Sequence, residues 1–591
     1  MVPFIKTVLI DLKEKGLSLE DLFFILPSKR AGIFLKHQLS TVLEQPIFSP
    51  HILSIEEFVE DLSGLQSITN AELLFRLYES YKTLTKPKEQ ESFDSFSKWA
   101  QILLQDFNEI DRYLVPQKQI FDYLNAIKEL NHWSLETEQT DLVKNHLKFW
   151  KRLKDYYIDF TENLLQSKQG YQGLIYREAT ENLEVYIENN GIRKHVFLGF
   201  NALNESESRI IQGLLENDLA HIYWDIDEEF INDTIHDAGV FTRVHKENWN
   251  YFKTHPFNWI TSHYKGEKNI QITGIPKLIG QAKYIGQLLE DLNKTNRNLS
   301  NVAVVLGEEN LLMPVLNSIP KTVEKLNVTM GLSLNLVPLA SFFEQLFSIQ
   351  KNHTQSFYYK DVIEILSHPS LYPLFKIESG NASSKLVEYI QKNNVVYLTD
   401  EILNKHVNYH NELITLLFKP WRDQPEIALK KCSSLIAKMK ANYDKNKQSN
   451  RLELEYLYRF NILFNQLSEL NSNYQHLNSI TTLHSIYKEL LTIETLDFKG
   501  EPLEGLQVMG MLESRVLDFE TVIISSVNEG ILPSGKTNNS FIPFDVKVEN
   551  GLPTYKEKDA VYTYHFYRLL QRAKNVYILY NTEVDALKGG E

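Results

Sequence analysis

The chain carries one cysteine, Cys432, among 591 residues. That scarcity excludes an internal disulfide and any zinc or iron–sulfur site built on cysteines, and leaves Cys432, within Lys-Lys-Cys-Ser-Ser, as a packing residue. Long apolar runs are also missing: none approaches the roughly 18 residues that suggest a bilayer-crossing helix. The opening Met1-Val-Pro-Phe-Ile-Lys-Thr-Val-Leu-Ile10 breaks into charged residues without the ordered regions of a signal peptide. A reducing cytoplasm is the simplest compartment, and no membrane partner is expected. No short repeat or low-complexity tract is visible. Positive charge is in deficit, with 62 Lys and Arg against 76 Asp and Glu, a formal net charge of −14. This excludes a surface broadly attractive to nucleic acid but leaves room for a local basic groove. Basic clusters stand at Ser28-Lys29-Arg30, from Lys148 to Lys154 and from Lys430 to Arg451. The last two read as solvated helix faces.

What is present is ample core material, 43% hydrophobic and 12% aromatic residues. By length alone the chain holds about three to five domains. Short apolar strand runs occur at Leu22–Leu26, His195–Gly199, Ala220–Trp224, near Ile270, at Val302–Leu306 and at Thr521–Val527. Between them, residues 68–185 and 346–500 carry apolar residues at helical spacing. The order is α/β, helical, α/β, and then the same again. That order predicts parallel-sheet domains, each interrupted by a mainly helical insertion. The expected division is 1–60 with 190–268, an insertion over 61–189, a second sheet domain from 269–345 with 500–591, and an insertion over 346–499.

Gly530-Ile-Leu-Pro-Ser-Gly-Lys-Thr537 matches the phosphate-loop pattern G-x-x-x-x-G-K-[ST]. Its context argues that Gly530, Gly535, Lys536 and Thr537 form a look-alike. A phosphate loop needs a strand before it and a helix N-terminus after it. The strand is there, but Asn538-Asn-Ser-Phe-Ile-Pro543 follows, with turn formers and no helical period. Pro533 also removes an N–H within the loop. The expectation is an irregular turn with Ile531 and Phe541 packed inward and Lys536 exposed. An active ATPase using Gly530–Thr537 is the alternative.

The surrounding text has a second pattern. Leu517-Asp-Phe519 precedes a strand and then Asn528-Glu-Gly-Ile-Leu-Pro533. Later, Tyr564-His-Phe-Tyr-Arg-Leu-Leu-Gln-Arg-Ala573 precedes the short strand run Val576–Tyr580. In this order the segment resembles motifs V and VI of UvrD-like superfamily 1 helicases. Gln571-Arg572-Ala573 stands where that family has T-R-A. The wording is most similar to AddB-type subunits of bacterial double-strand-break resection complexes, in a form associated with Bacteroidetes. The likeness is strong over about the last 90 residues and looser elsewhere. It implies two RecA-like domains with helical insertions, DNA as a single strand or duplex end, and an AddA-type helicase–nuclease partner. It also implies a C-terminal nuclease domain, which the chain up to Glu591 does not reach; magnesium would be needed only if one follows.

Against that family pattern the motor parts are missing. Leu26-Pro-Ser-Lys-Arg-Ala-Gly32 stands for motif Ia, yet Met1 to Asp21 contains a single glycine, Gly16, and no phosphate loop. Where Asp-Glu should close the second strand and hold magnesium, the chain reads Phe197-Leu-Gly-Phe-Asn-Ala-Leu203. Asp225 and Asp227 come too late and resemble the motif III turn. Arg572 is retained as a remnant of the nucleotide site, with pairing to a nearby carboxylate as its plain alternative. Ile542-Pro-Phe-Asp-Val-Lys547 offers a superficial nuclease pattern without an upstream acidic partner. The expectation is a degenerate helicase-like DNA-binding subunit with no catalytic residue, cofactor or metal of its own. Ser28, Lys29, Arg30 and Arg515 are the candidate phosphate contacts. A protein-binding scaffold without DNA binding is the remaining alternative.

Overall fold

Two parallel sheets, each assembled from distant parts of the chain, organise the computed structural model. It describes the backbone of all residues except 1, 132–140, 296–298, 352–355, 379, 407–410, 449, 497–502, 534–538 and 584–591. The side chains of 126–149 also lie outside the description, as do those of 190, 295, 400 and 411. Strands are numbered below for these two sheets only. The first sheet contains β1 (Phe23–Leu26), β2 (His51–Ser54), β3 (His195–Leu198) and β4 (Ala220–Tyr223). Its order is β2-β1-β3-β4, all parallel. The helix Lys29–Val42 carries the chain from β1 to β2, and Glu205–Glu216 carries it from β3 to β4. The order therefore reverses between β1 and β3. In open parallel sheets that reversal leaves a crevice beyond the carboxyl ends of the two strands, a common place for ligands.

The second sheet contains β5 (Asn269–Ile275), β6 (Val302–Leu306), β7 (Leu326–Val328), β8 (Leu506–Gly510), β9 (Thr521–Ser525) and β10 (Asn575–Asn581). Its order is β7-β8-β6-β9-β10-β5, again all parallel. β6, β8 and β9 are buried along their whole length. This suits central strands covered on both faces and explains their unbroken apolar runs.

A helix over Phe4–Glu14 precedes β1. The sequence reading gave this stretch no element. Its apolar residues Phe4, Ile5, Val8, Leu9 and Leu12 nevertheless follow helical spacing, and they pack with Phe24, Leu26, Val196 and Leu198 of the first sheet. Between that helix and β1, Leu19–Asp21 forms a single 3-10 turn.

By compactness the chain forms two units. One holds residues 1–70, 102–330 and 498–591, with both sheets; the other holds 71–101 and 331–497. The helical run 61–189, read above as one insertion, is therefore split, and residues 331–345 leave the second sheet's segment. The reason lies in the aromatic face of residues 71–101. Phe75, Tyr78 and Phe93 surround the ring of His476, with Tyr78 edge-on at 4.8 Å. Burying those rings outweighs continuity along the chain. The second unit is helical, with long helices at Pro338–Lys351, Pro425–Tyr443, Arg451–Tyr474 and Ile480–Ile493. Cys432 is fully buried there, and burial pushes its thiol up out of the reactive range.

Candidate functional site

The carboxyl ends of β1 and β3 open into a cavity of about 450 Å³ in the first unit. Pro27 follows β1 and Gly199 follows β3, and both line it. The loop Phe200–Asn204 and the start of helix Glu205–Glu216 form one wall. Arg112 and Tyr113, from the end of helix Phe93–Arg112, form another. Arg515, on the connection between β8 and β9, and His565, on helix Tyr555–Gln571, complete it.

Arg112 and Arg515 are half-buried, and neither makes an ion pair within 4.0 Å among the described residues. The Nε of each has no protein partner, and the same holds for both amide atoms of Asn201 and for Nδ2 of Asn204. Both asparagines are buried, at 6% and 4% exposure. Such groups are costly unless something polar meets them. The acids of the wall are better satisfied. Glu207 accepts from the Asn204 N–H at 3.0 Å in a capping box, Glu557 closes another with Thr554, and Glu109 pairs with Lys547 at 2.5 Å. Burial raises the Glu207 carboxyl above its ordinary range despite Arg112 and Arg515 nearby. His565 is driven well below the usual imidazole value by burial, with Arg515 and Arg568 adding to it, and is neutral.

Beside this cavity the chain closes on itself. Arg568 and Arg572 sit one turn apart at the end of helix Tyr555–Gln571, and Asp225 lies just beyond β4. Arg568 Nε reaches Asp225 Oδ2 at 2.7 Å, and its Nη2 reaches Asp518 Oδ1 at 2.8 Å. Arg572 contacts the same two carboxylates at 2.7 and 3.3 Å. No side chain of the four exceeds 4% exposure. The Phe4 N–H donates to the second oxygen of Asp518 at 2.7 Å, and the Phe4 ring lies 5.6 Å from the Arg572 guanidinium. Two positive and two negative charges thus balance with most lone pairs satisfied, the condition under which a buried ion cluster is tolerated. Next to it Gly199 adopts φ +65°, and a Cβ there would stand 2.7 Å from Val516 Cγ2. Val516 belongs to the same apolar cluster as Phe4.

The sequence-derived candidates fall in different places. Ser28 caps helix Lys29–Val42, accepting from the Ala31 N–H at 3.3 Å. Lys29 is exposed and paired with Glu57 at 2.8 Å. Arg30 points away to the second sheet, donating to Thr329 Oγ1 and to Gln507 Oε1 at 2.7 Å. Burial brings its guanidinium down to about 10. Arg515 alone of the four reaches the cavity. Arg572 has both neighbouring carboxylates as partners. Arg112 was missed, because a single arginine ending a long helix carries no sequence signal; only folding brings it beside Arg515.

Gly530 is an exposed turn glycine at φ +73°. Gly535, Lys536 and Thr537 lie outside the described residues, so the placement expected for Lys536 does too. Among the described residues the next helix is Phe544–Glu549. Ile531 and Phe541 are half-buried, and it is their neighbours Leu532 and Ile542 that are buried, at 8% and 4%. In the first pair Asn528 O accepts from both the Ile531 and Leu532 N–H groups at 3.0 Å, a tight turn that carries Leu532 inward; in the second the Phe541 N–H is held by Asp106 Oδ2 at 2.7 Å. Lys547, in the superficial nuclease pattern, is held by Glu109. Of the basic clusters, Lys154 pairs with Asp122, Lys438 with Glu412, and Lys440 and Lys447 with Asp444. Among the described residues no three His, Cys, Asp or Glu side chains are grouped to hold a metal ion, and no helix is long and apolar enough to cross a membrane. No protein-family model and no curated protein matches the chain.

Proposed function

We propose that the chain is a helicase-like DNA-binding subunit of the AddB type, without a motor of its own, acting beside an AddA-type helicase–nuclease. In this reading the two parallel sheets are paired RecA-like cores. The observation that carries it is the buried Asp225–Asp518–Arg568–Arg572 cluster. It ties the residues after β4 to the motif V and VI equivalents, while Phe4 and Val516 fill the space beside Gly199. A nucleotide–magnesium complex needs a phosphate cradle and carboxylates free to hold the metal. Here Asp225 and Asp518 are both engaged by arginines, and Arg572 has no developing charge to meet. The strand-binding part of the reading rests on Arg112 and Arg515, two of the cations that, with Lys558, line the crevice. Guanidinium groups without carboxylate partners suit phosphate oxygens.

The test is a calorimetric titration with ATP–Mg²⁺ together with a steady-state phosphate-release assay in single-stranded DNA. The expected result is neither saturable heat nor turnover. Turnover abolished by Lys536→Ala would instead make Gly530–Thr537 a working phosphate loop.

A further inference from the structure

The outer edge of the second sheet is unpaired among the described residues. β5, Asn269-Ile-Gln-Ile-Thr-Gly-Ile275, pairs along all seven residues with β10 and has no strand on its other side among the described residues. The Asn269 N–H donates to Lys574 O, and Ile275 O accepts from Thr582. In a parallel ladder, alternate residues address one neighbour. The odd-numbered residues therefore face β10, and the N–H and C=O groups of Ile270, Ile272 and Gly274 point outward. Their side-chain row is apolar and open, with Ile270 at 52% and Ile272 at 66% exposure. Natural edges are guarded by charge, proline, a bulge or a covering element. This strand contains no charge and no proline.

We infer that the β5 edge is a homodimer interface, which a second copy of this chain occupies by antiparallel pairing across a two-fold axis through Ile272. A two-fold contact must be self-complementary, and the sequence meets that demand at three levels. The outward groups of Ile270, Ile272 and Gly274 meet those of Gly274, Ile272 and Ile270 in the copy. Each Ile270 then lies opposite Gly274, over which the ring of Tyr580 and the methyl of Thr582 stand, so it meets a surface with apolar cover rather than a gap. Beyond the strand, the same register sets Glu267 opposite Lys277. Both are exposed, and neither has an ion-pair partner among the described residues. Pro276 ends the ladder before that pair. A chain of net charge −14 resists self-association in general, so a charge-free strand with complementary flanks is where association is least opposed. The inference is independent of the proposed DNA binding.

The experiment is sedimentation of the full chain across a concentration series, with Ile272→Lys as the comparison. The expected result is a monomer–dimer equilibrium that the lysine abolishes; a monomer throughout, or a dimer that survives the substitution, overturns the inference. Ile272 is too exposed for the change to unfold the protein. A cysteine scan gives a positive readout, since Cys432 is buried. Two Cα atoms facing in a hydrogen-bonded antiparallel pair lie about 5.5 Å apart, within disulfide reach. Ile272→Cys should cross-link the copies with oxidised glutathione, whereas Ile270→Cys, set four residues from its own copy, should not. Equal cross-linking at both positions would remove the register.

Discussion

Arg572 and Asp225, 347 positions apart in sequence, meet at 2.7 Å in the interior of the first unit. The contact joins the end of the last long helix to the residue that leaves β4. With Arg568 and Asp518 it forms a closed set of charges close to Gly199, in the stretch Phe197–Leu203 where neutral residues stand at the acidic positions of the resemblance. A subunit without turnover is proposed from this closure together with the missing acidic pair at Phe197–Leu203.

Breaking the set is expected to be costly. Asp225→Ala leaves two buried guanidinium groups sharing Asp518, and removing one partner of a buried pair typically costs about 3–5 kcal/mol. Thermal and urea unfolding should show the loss, whereas Lys29→Ala, at an exposed pair, should change stability by less than about 1 kcal/mol. The cluster also has a pH signature. Burial alone would raise the Asp225 carboxyl, but Arg572 and Arg568 outweigh it and hold it below the ordinary carboxylate value. A depressed acid contributes stability that is present above its unfolded value and lost as pH falls through the folded one. Asp225→Asn should therefore narrow the gap to wild type in strong acid.

Gly199 provides a second check. It combines a left-handed backbone with contact to Val516. Gly199→Ala should destabilise by at least about 1 kcal/mol through its φ angle and the close contact together. Combining it with Val516→Ala should recover part of the loss, read as coupling in a double-mutant cycle.

The second unit has two opposing titrations. His484, buried and stacked on Phe347 at 5.1 Å, is brought down to about 4, chiefly by burial, with Lys351 and Lys488 adding to it. Its stability contribution is complete above the unfolded histidine value near 6.5 and is lost as pH falls towards 4. Glu489 is pushed up to about 7 by burial, against hydrogen bonds from Gln101 and Ser97. Its contribution is complete in acid and is lost as pH rises through 7. Urea midpoints should show His484→Phe flattening the acid limb, and Glu489→Gln raising stability at pH 8 but not at pH 5.

Most strands were legible because buried parallel strands leave unbroken apolar runs, as in Val302–Leu306 and Thr521–Ser525. At Phe197–Leu203 the sequence shows only neutral residues, which is as far as it speaks to a metal-holding pair there. Helix Phe4–Glu14 carries a 4-5-8-9-12 apolar spacing, yet in sequence that stretch was weighed only against a signal peptide and assigned no element. The split of residues 61–189 was not legible, because helical periodicity says which face is apolar and not what covers it. For the same reason Arg30 read as a free cation; its partners Thr329 and Gln507 are about 300 and 480 positions away. Arg112 and Arg515 become neighbours only through the fold.

The most direct test of a DNA-binding subunit without a motor is fluorescence anisotropy of a labelled single strand over a salt series, with and without ATP–Mg²⁺. The wild type is compared with Arg515→Ala and with the Arg112→Ala, Arg515→Ala double variant. The account predicts weak binding with a log–log salt slope between about −1.4 and −2.1, from two or three neutralised phosphates. It predicts a shallower slope and lower affinity in each variant, and no response to nucleotide. Equal binding by all three proteins, absence of binding at low salt, or nucleotide-dependent affinity would contradict it.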